Sequence, residues 1–233
     1  MGYIQRRMNM KTAIIDYGTG NLRSVENALK RLNAGYVITS DASVIRSAGR
    51  VILPGVGEAS TAMEKLCETG LDKLIPSLTQ PVLGICIGMQ LMCEYSEEGD
   101  TRCLGIFRTA VRRLGGDSRD KRQDMGTTGG TGLKIPEMGW NSIRCVSPES
   151  GKQHGKMGDR RMRSPLFDGI PDESHVYYVH SFAPDICADT IAITEYGRPF
   201  SAALGRGNFF GTQFHPEKSG SIGQRLLANF LES

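Results

Sequence analysis

Pro81-Val82-Leu83-Gly84-Ile85-Cys86-Ile87-Gly88-Met89-Gln90 runs from an unbroken apolar stretch, through a cysteine with glycine two places to either side, into a helical pattern. An apolar run without polar alternation is what a strand buried on both faces requires, so Pro81 to Ile85 is expected to be an inner strand of a parallel sheet. A sharp passage from strand to helix through such a residue is the geometry of a nucleophile elbow, here with sulfur in place of a serine oxygen. The glycines have a steric reason. A nucleophile on so tight a turn is strained, and side chains at Gly84 or Gly88 would meet neighbouring backbone. A helix starting near Gly88 would aim the positive end of its dipole at Cys86, which favours an anionic sulfur, and its free amides, Ile87 first, can stabilise an oxyanion. The competing reading, a buried structural thiol, suits Cys67, Cys93, Cys103, Cys145 and Cys187.

Outward from this stretch, short Ile- and Val-rich runs alternate with helical patterns through the first half, the signature of βαβ units. Thr12 to Asp16 is expected as the first strand, and Asn21 to Leu32, with Leu22, Val25, Leu29 and Leu32 on one face, as the first helix. Tyr36 to Thr39 and Arg50 to Leu53 read as further strands, with helices at about Glu58 to Cys67 and Leu71 to Leu78. From Ile106 the apolar runs shorten and alternate: Ile106 to Leu114, Trp140 to Val146, His175 to Ser181, Thr190 to Glu195, Ser201 to Gly205 and Phe209 to Phe214. These predict antiparallel or edge strands that extend the sheet and add a smaller one. Ile222 to Leu231 predicts a closing helix, so the class is α/β, with a mostly parallel central sheet flanked by helices and a smaller antiparallel sheet in the second half.

With 233 residues, 39% hydrophobic and 23% charged, the chain can bury a substantial core, and one domain is the expectation. The net charge of +3 is mild, and the basic segments Arg112 to Lys134 and Lys152 to Arg163 hold no aromatic residue, so no nucleic-acid partner is expected. Six cysteines without C-x-x-C spacing argue against a disulfide framework and a zinc site, and for the reducing cytoplasm. No run approaches the roughly 20 apolar residues of a spanning helix, so no membrane partner is expected. Residues 1–10 read as a disordered N-terminal extension before a domain over 11–233, with Met10 as an alternative start.

A thiolate that forms an acyl intermediate needs a base, and later an acid for the leaving amine; histidine serves both near neutral pH. Of His154, His175, His180 and His215, the last stands out because it ends a predicted strand and opens His215-Pro216-Glu217. In extended backbone, residues two apart share a face, so Glu217 is expected to accept from the imidazole N–H and set its tautomer. Cys86, His215 and Glu217 then form a nucleophile, base and acid.

Gly84-Ile85-Cys86-Ile87-Gly88-Met89-Gln90 with Phe214-His215-Pro216-Glu217 resembles the triad-type glutamine amidotransferases, which hydrolyse glutamine and pass the ammonia to a synthase. Asp16-Tyr17-Gly18-Thr19-Gly20-Asn21-Leu22-Arg23-Ser24, Pro54-Gly55-Val56-Gly57, Met138-Gly139-Trp140-Asn141 and Tyr177-Tyr178-Val179-His180-Ser181 are similar to the glutaminase subunits of imidazole glycerol phosphate synthases. The resemblance spans nearly the whole chain from Lys11. It implies a flavodoxin-like fold and attack by Cys86 on the side-chain amide carbon of L-glutamine. It also implies oxyanion donors at the backbone of Val56 and Ile87, and substrate contacts by Gly55, Gly57, Gln90, Tyr177, His180 and Ser181. His180 and Ser181 read equally well as ordinary polar strand residues. Asn21 and Trp140 are implied to face the partner, a separate cyclase subunit in a heterodimer, although Trp140 also reads as a core residue. No cofactor and no metal are implied.

The chain departs from that pattern at Glu137, where the family usually has histidine, and in two longer segments, Gly115 to Gly132 and Ser150 to Arg163, which read as surface elaborations. Three other functions compete. They are a glutaminase serving another biosynthesis, a cysteine peptidase or thioesterase on a related fold, and a non-catalytic regulatory module. Ungated ammonia release would be wasteful, so low turnover without the partner is expected.

Overall fold

A computed structural model describes residues 11–18, 21–115, 133–146 and 163–233. The 1–10 extension, His154, and the two longer segments apart from Gly115 and Arg163 lie outside the described residues.

Strands Thr12–Ile15 (β1), Arg50–Leu53 (β3) and Val82–Ile85 (β4) are buried at every position, which is why their sequences do not alternate. Arg50 is the charged exception, and its guanidinium donates to the carbonyls of Phe230 and Ser233 at the end of the last helix, at 3.1 and 3.0 Å. Tyr36–Thr39 (β2) lies on the far side of β1. The strands Glu137–Cys145 (β8), Ser174–His180 (β9), Thr190–Tyr196 (β11), Arg198–Arg206 (β12) and Phe209–Thr212 (β13) complete a nine-stranded sheet in the order β2-β1-β3-β4-β13-β12-β11-β8-β9. From β2 to β13 all neighbours are parallel, in the flavodoxin-like order; from β13 to β9 all are antiparallel. Tyr95–Ser96 (β5), Thr101–Arg102 (β6), Ala110–Arg113 (β7) and Phe182–Pro184 (β10) form the smaller sheet, antiparallel except where β5 meets β7.

Helices Leu22–Arg31 (α1), Ala42–Ser47 (α2), Ala59–Glu68 (α3), Leu71–Leu74 (α4), Ile87–Leu91 (α5) and Gly220–Glu232 (α6) flank the large sheet. Helix α1 buries Val25, Ala28 and Leu29 as its periodicity predicts. Helix α2 was not expected, because it buries only Ile45; its local signal is Asp41, whose side chain accepts from the Ser43 and Val44 amides. The helix expected over Leu71 to Leu78 stops at Leu74 and tightens into a 3-10 turn over Ile75–Ser77, because Pro76 has no N–H for an α-helical bond. Ile106 to Leu114 is strand only over Ala110–Arg113; the Ile106 and Phe107 amides instead turn back onto the Met92 carbonyl. Strand β8 starts three residues before Trp140, and its glycine break at Gly139, φ +141°, disguises it in the sequence.

Candidate active site

The carboxyl ends of β3, β4 and β13 lie side by side, the edge of a parallel sheet where ligands are usually held. Chain leaving β4 enters Cys86 at φ 54°, ψ −111°, a left-handed backbone that few side chains tolerate. Its amide donates to the Thr212 carbonyl at 2.7 Å, tying the turn to β13. The glycines allow this approach: a Cβ on Gly84 would stand 2.7 Å from the Gly88 carbonyl, and one on Gly55 2.7 Å from the Gly88 amide. Intrahelical bonds in α5 begin with Met89 and Gln90 donating to the Cys86 carbonyl, so the Ile87 and Gly88 amides precede the first turn's bonds. Burial raises the Cys93 thiol well above its ordinary value, and those of Cys103 and Cys145 to about 12, which suits structural thiols.

Strand β13 delivers the second group. It ends at Thr212, two residues earlier than expected, and the chain passes through Gln213 and Phe214 to His215. The His215 amide donates to the Tyr177 carbonyl at 2.9 Å, and the Ser219 hydroxyl donates to the His215 carbonyl at 2.7 Å. Nδ1 of His215 donates to Glu217 Oε1 at 2.8 Å, with both side chains buried. The expected route for this contact needs correcting. Pro216–Lys218 is a 3-10 turn, not extended backbone, and it is the turn that brings Glu217 back under the ring.

Burial works against charge on the His215 ring, yet the Cys86 side chain and the Glu217 carboxylate outweigh it and raise the ring from 6.5 to about 10. Nε2, the nitrogen that faces away from Glu217, is buried. Because the folded value lies above 6.5, this proton contributes stability that is fully present below pH 6.5 and is lost as the pH rises through about 10. Glu217→Gln keeps the shape of the side chain and removes its charge. The ring should then titrate well below 10, read from the NMR shift of its Cε1 proton against pH. An unmoved midpoint would show that Glu217 does not hold the proton.

A cavity of about 330 Å³ opens over the cysteine. Val56 and Gly57 line it from the loop after β3, Cys86, Ile87 and Gln90 from the elbow, and His180 and Ser181 from the end of β9, with His215 also on its surface. That loop is held by the Tyr17 hydroxyl, which donates to the Pro54 carbonyl at 2.8 Å. Gly57 takes φ +97°. Gly55 and Tyr177 are not on the cavity wall: Gly55 packs under the first turn of α5, and the Tyr177 ring meets Trp140 edge-on at 6.0 Å. Trp140 and Met138 are 57% and 62% exposed, which removes the core reading of Trp140. Asn21 sits at the start of α1. A larger concavity of about 870 Å³, between Arg163–Pro171 and the end of α6, contains none of these groups.

Three residues were not foreseen in these positions. Glu98 is the one carboxylate among the described cavity-lining residues, and burial raises its pKa against the 3.0 Å bond it accepts from the Ala59 amide. Gln213, fully buried, donates to the Cys86 sulfur at 3.6 Å. Glu137 lies directly across from His180 in the β8–β9 register, and its Oε2 faces His180 Nε2 at 3.1 Å with both buried, so it presents no side chain to the surface. Only the Gln213 position carried a local hint, as a polar residue inside the apolar run from Phe209 to Phe214.

Among the described residues, no group of three or more His, Cys, Asp or Glu could hold a metal ion. No helix among them is long and apolar enough to cross a membrane.

The family model "Glutamine amidotransferase class-I" matches residues 13–233. The chain is 48% identical to the imidazole glycerol phosphate synthase subunit HisH of Bacteroides fragilis strain YCH46, over 96% of this chain and 100% of that one. Against the same-named subunit of Haemophilus influenzae strain KW20 it is 44% identical, over 94% of this chain and 96% of that one. Among solved structures, the fold is similar to PurLQS from Thermotoga maritima (TM-score 0.61, 17% identity, 96% and 98% of the two chains). It is also similar to a glutamine amidotransferase from the same organism (TM-score 0.56, 17% identity, 94% and 81%). With the family model spanning nearly the whole sequence and such identity to full-length relatives, the chain belongs to the class-I glutamine amidotransferases and, within them, to the family of the imidazole glycerol phosphate synthase HisH subunits.

Proposed function

We propose that the chain hydrolyses L-glutamine to glutamate and ammonia and passes the ammonia to a separate cyclase subunit, for the synthesis of imidazole glycerol phosphate and aminoimidazole carboxamide ribotide in histidine biosynthesis. The observation that carries the reading is a strained Cys86 beside a His215–Glu217 pair at the mouth of one cavity. In this mechanism Cys86 Sγ attacks the side-chain amide carbon of glutamine, and the negative charge moves to the carbonyl oxygen. The Ile87 amide, with the Val56 amide across the cavity, stabilises that oxyanion. His215 then gives its proton to the leaving nitrogen, and ammonia departs. Water, deprotonated by His215, attacks the thioester, and the carbon–sulfur bond breaks to release glutamate. Glu217 keeps the ring oriented throughout.

The polar groups around the cavity suit the rest of the substrate. Gln90 Oε1 is buried with no partner among the described residues, an acceptor kept for a donor on the ligand. The Glu98 carboxylate complements the α-ammonium group, and Gly57, His180 and Ser181 complete the walls. Gly55 and Tyr177 act one layer behind, Gly55 by admitting the elbow and Tyr177 by bracing the His215 backbone. The site requires no metal or cofactor, because sulfur, imidazole and backbone amides supply every step. All six cysteines are unpaired, in keeping with a cytoplasmic enzyme.

Exposed Met138 and Trp140, with Val56 39% exposed at the cavity, offer the apolar surface a cyclase would cover, and Asn21 is assigned to the same interface. The test mixes the chain with a candidate cyclase partner and its nucleotide substrate, and follows glutamine consumption together with product. No glutamine consumption in that mixture would overturn the reading. Trp140→Ala is expected to weaken the heterodimer about 30-fold by calorimetry, the scale of an interfacial tryptophan. Unchanged affinity would move the interface elsewhere.

A further inference from the structure

A set of polar contacts runs from His180 to the nucleophile, and its chemistry fixes which atom donates at each step. The Phe182 carbonyl oxygen can only accept, so the Gln90 side-chain atom 2.9 Å from it is the NH₂ group. That same NH₂ lies 3.0 Å from one end of the Gln213 amide, which must therefore be the oxygen. The other end of Gln213, 3.6 Å from Cys86 Sγ, is then an NH₂ that donates to sulfur. Both protons of the Gln90 NH₂ are spent on this arrangement, so neither amide can turn over without leaving two like groups facing each other in a dry interior. His180 Nδ1 donates to the same Phe182 carbonyl at 2.9 Å, which holds that oxygen from the other side.

We propose that Gln213 is a fourth catalytic residue, whose side-chain amide, oriented through Gln90 and the Phe182 carbonyl, donates to the Cys86 sulfur. The assignment rests on Cys86 being the nucleophile of the glutaminase proposed above. An N–H aimed at sulfur stabilises it when it carries the charge, before attack and again when the carbon–sulfur bond of the thioester breaks. The contact is absent from local sequence logic because it joins two strands' ends through residues far apart in the chain.

Alkylation of Cys86 by iodoacetamide, followed by mass spectrometry of its peptide across pH, reads the population of the sulfur anion and needs no glutamine. Gln213→Met keeps roughly the volume and removes the donor; Gln213→Glu keeps the shape and turns an acceptor toward sulfur. Around the sulfur the titratable groups are His215 with Glu217 behind it, Glu98 on the cavity wall, and His180 paired with Glu137. All stay in place in both variants. The alkylation midpoint should rise by about one pH unit in Gln213→Met and further in Gln213→Glu, the scale of one hydrogen bond to a charged group. The value of kcat for glutamine should fall about tenfold, with KM changed less. Far-ultraviolet circular dichroism and Tm confirm that each variant is folded, and one folded variant is enough for the decision. A wild-type midpoint in a folded variant overturns the proposal. Absence of glutamine turnover in the wild-type complex would instead sink the glutaminase reading, while the alkylation profile would still decide whether Gln213 serves the sulfur.

Discussion

Cys86→Ala is expected to reduce glutamine-dependent product formation in the complex with the cyclase by about 10⁴-fold or more, because it removes the sulfur proposed to form the acyl intermediate. That loss corresponds to about 5 kcal/mol of transition-state stabilisation. Added ammonium should restore synthesis, since the cyclase would then receive its nitrogen without hydrolysis. The side chain removed is small and 4% exposed, and its main structural tie is a backbone bond from its amide to Thr212. Alanine keeps that bond, so folding and complex formation should survive. If glutamine-dependent synthesis persists in Cys86→Ala with free ammonia excluded, the central reading is wrong. The experiment also separates the competing functions: a peptidase or thioesterase would lose its own activity in the variant and show no glutamine dependence to begin with.

The largest effect on stability should come from Gly88→Ala. A Cβ at this position would overlap the Leu53 carbonyl oxygen at the end of β3, and backbone, unlike a flexible side chain, cannot turn aside. Relief requires α5 to move away from β3, which also moves Ile87 away from Val56. A cost of about 3 kcal/mol is expected, or a fall in Tm of about 6 to 12 °C for a chain of this length. Glutamine turnover should fall even at temperatures where the variant is folded, since the two amides proposed for the oxyanion, Ile87 on α5 and Val56 after β3, would be drawn apart. Gly35→Ala is the control. Its Cβ would meet only the Lys11 side chain at 3.8 Å, an ordinary contact, and Tm should change by no more than about 2 °C. Equal Tm values for the two variants would remove the steric account of the elbow.

Both predictions concern features legible in the sequence. The spacing Gly84, Cys86, Gly88 after an apolar run implied the elbow, because the collision at Gly84 is with Gly88 within the turn itself; the collision at Gly88, with Leu53 of the adjacent strand, was not legible locally. The run at Arg50–Leu53 became a strand at the expected bounds, since burial on both faces leaves a pattern that the segment carries alone; Tyr36–Thr39 did so as a half-exposed edge strand, legible from its aromatic and β-branched residues. Helix α2 and the two-residue strands β5 and β6 escaped notice because they are too short, or too exposed, for a period to repeat. His215 and Glu217 were legible as a pair, but by the wrong local geometry, since the proline that stiffens the link also starts a 3-10 turn.

What the sequence by itself determined is therefore the elbow at Cys86, the βαβ half of the sheet, and the pairing of His215 with Glu217. Each follows from steric or periodic rules that act over a few residues. Only the tertiary structure decided that Gln213 donates to the sulfur, that Glu137 is buried against His180, that Glu98 lines the cavity, and that Tyr177 turns toward Trp140. Those contacts depend on which strands are neighbours and on their register. Nothing in a short stretch of chain encodes that order, because it is set by how all the buried faces pack at once.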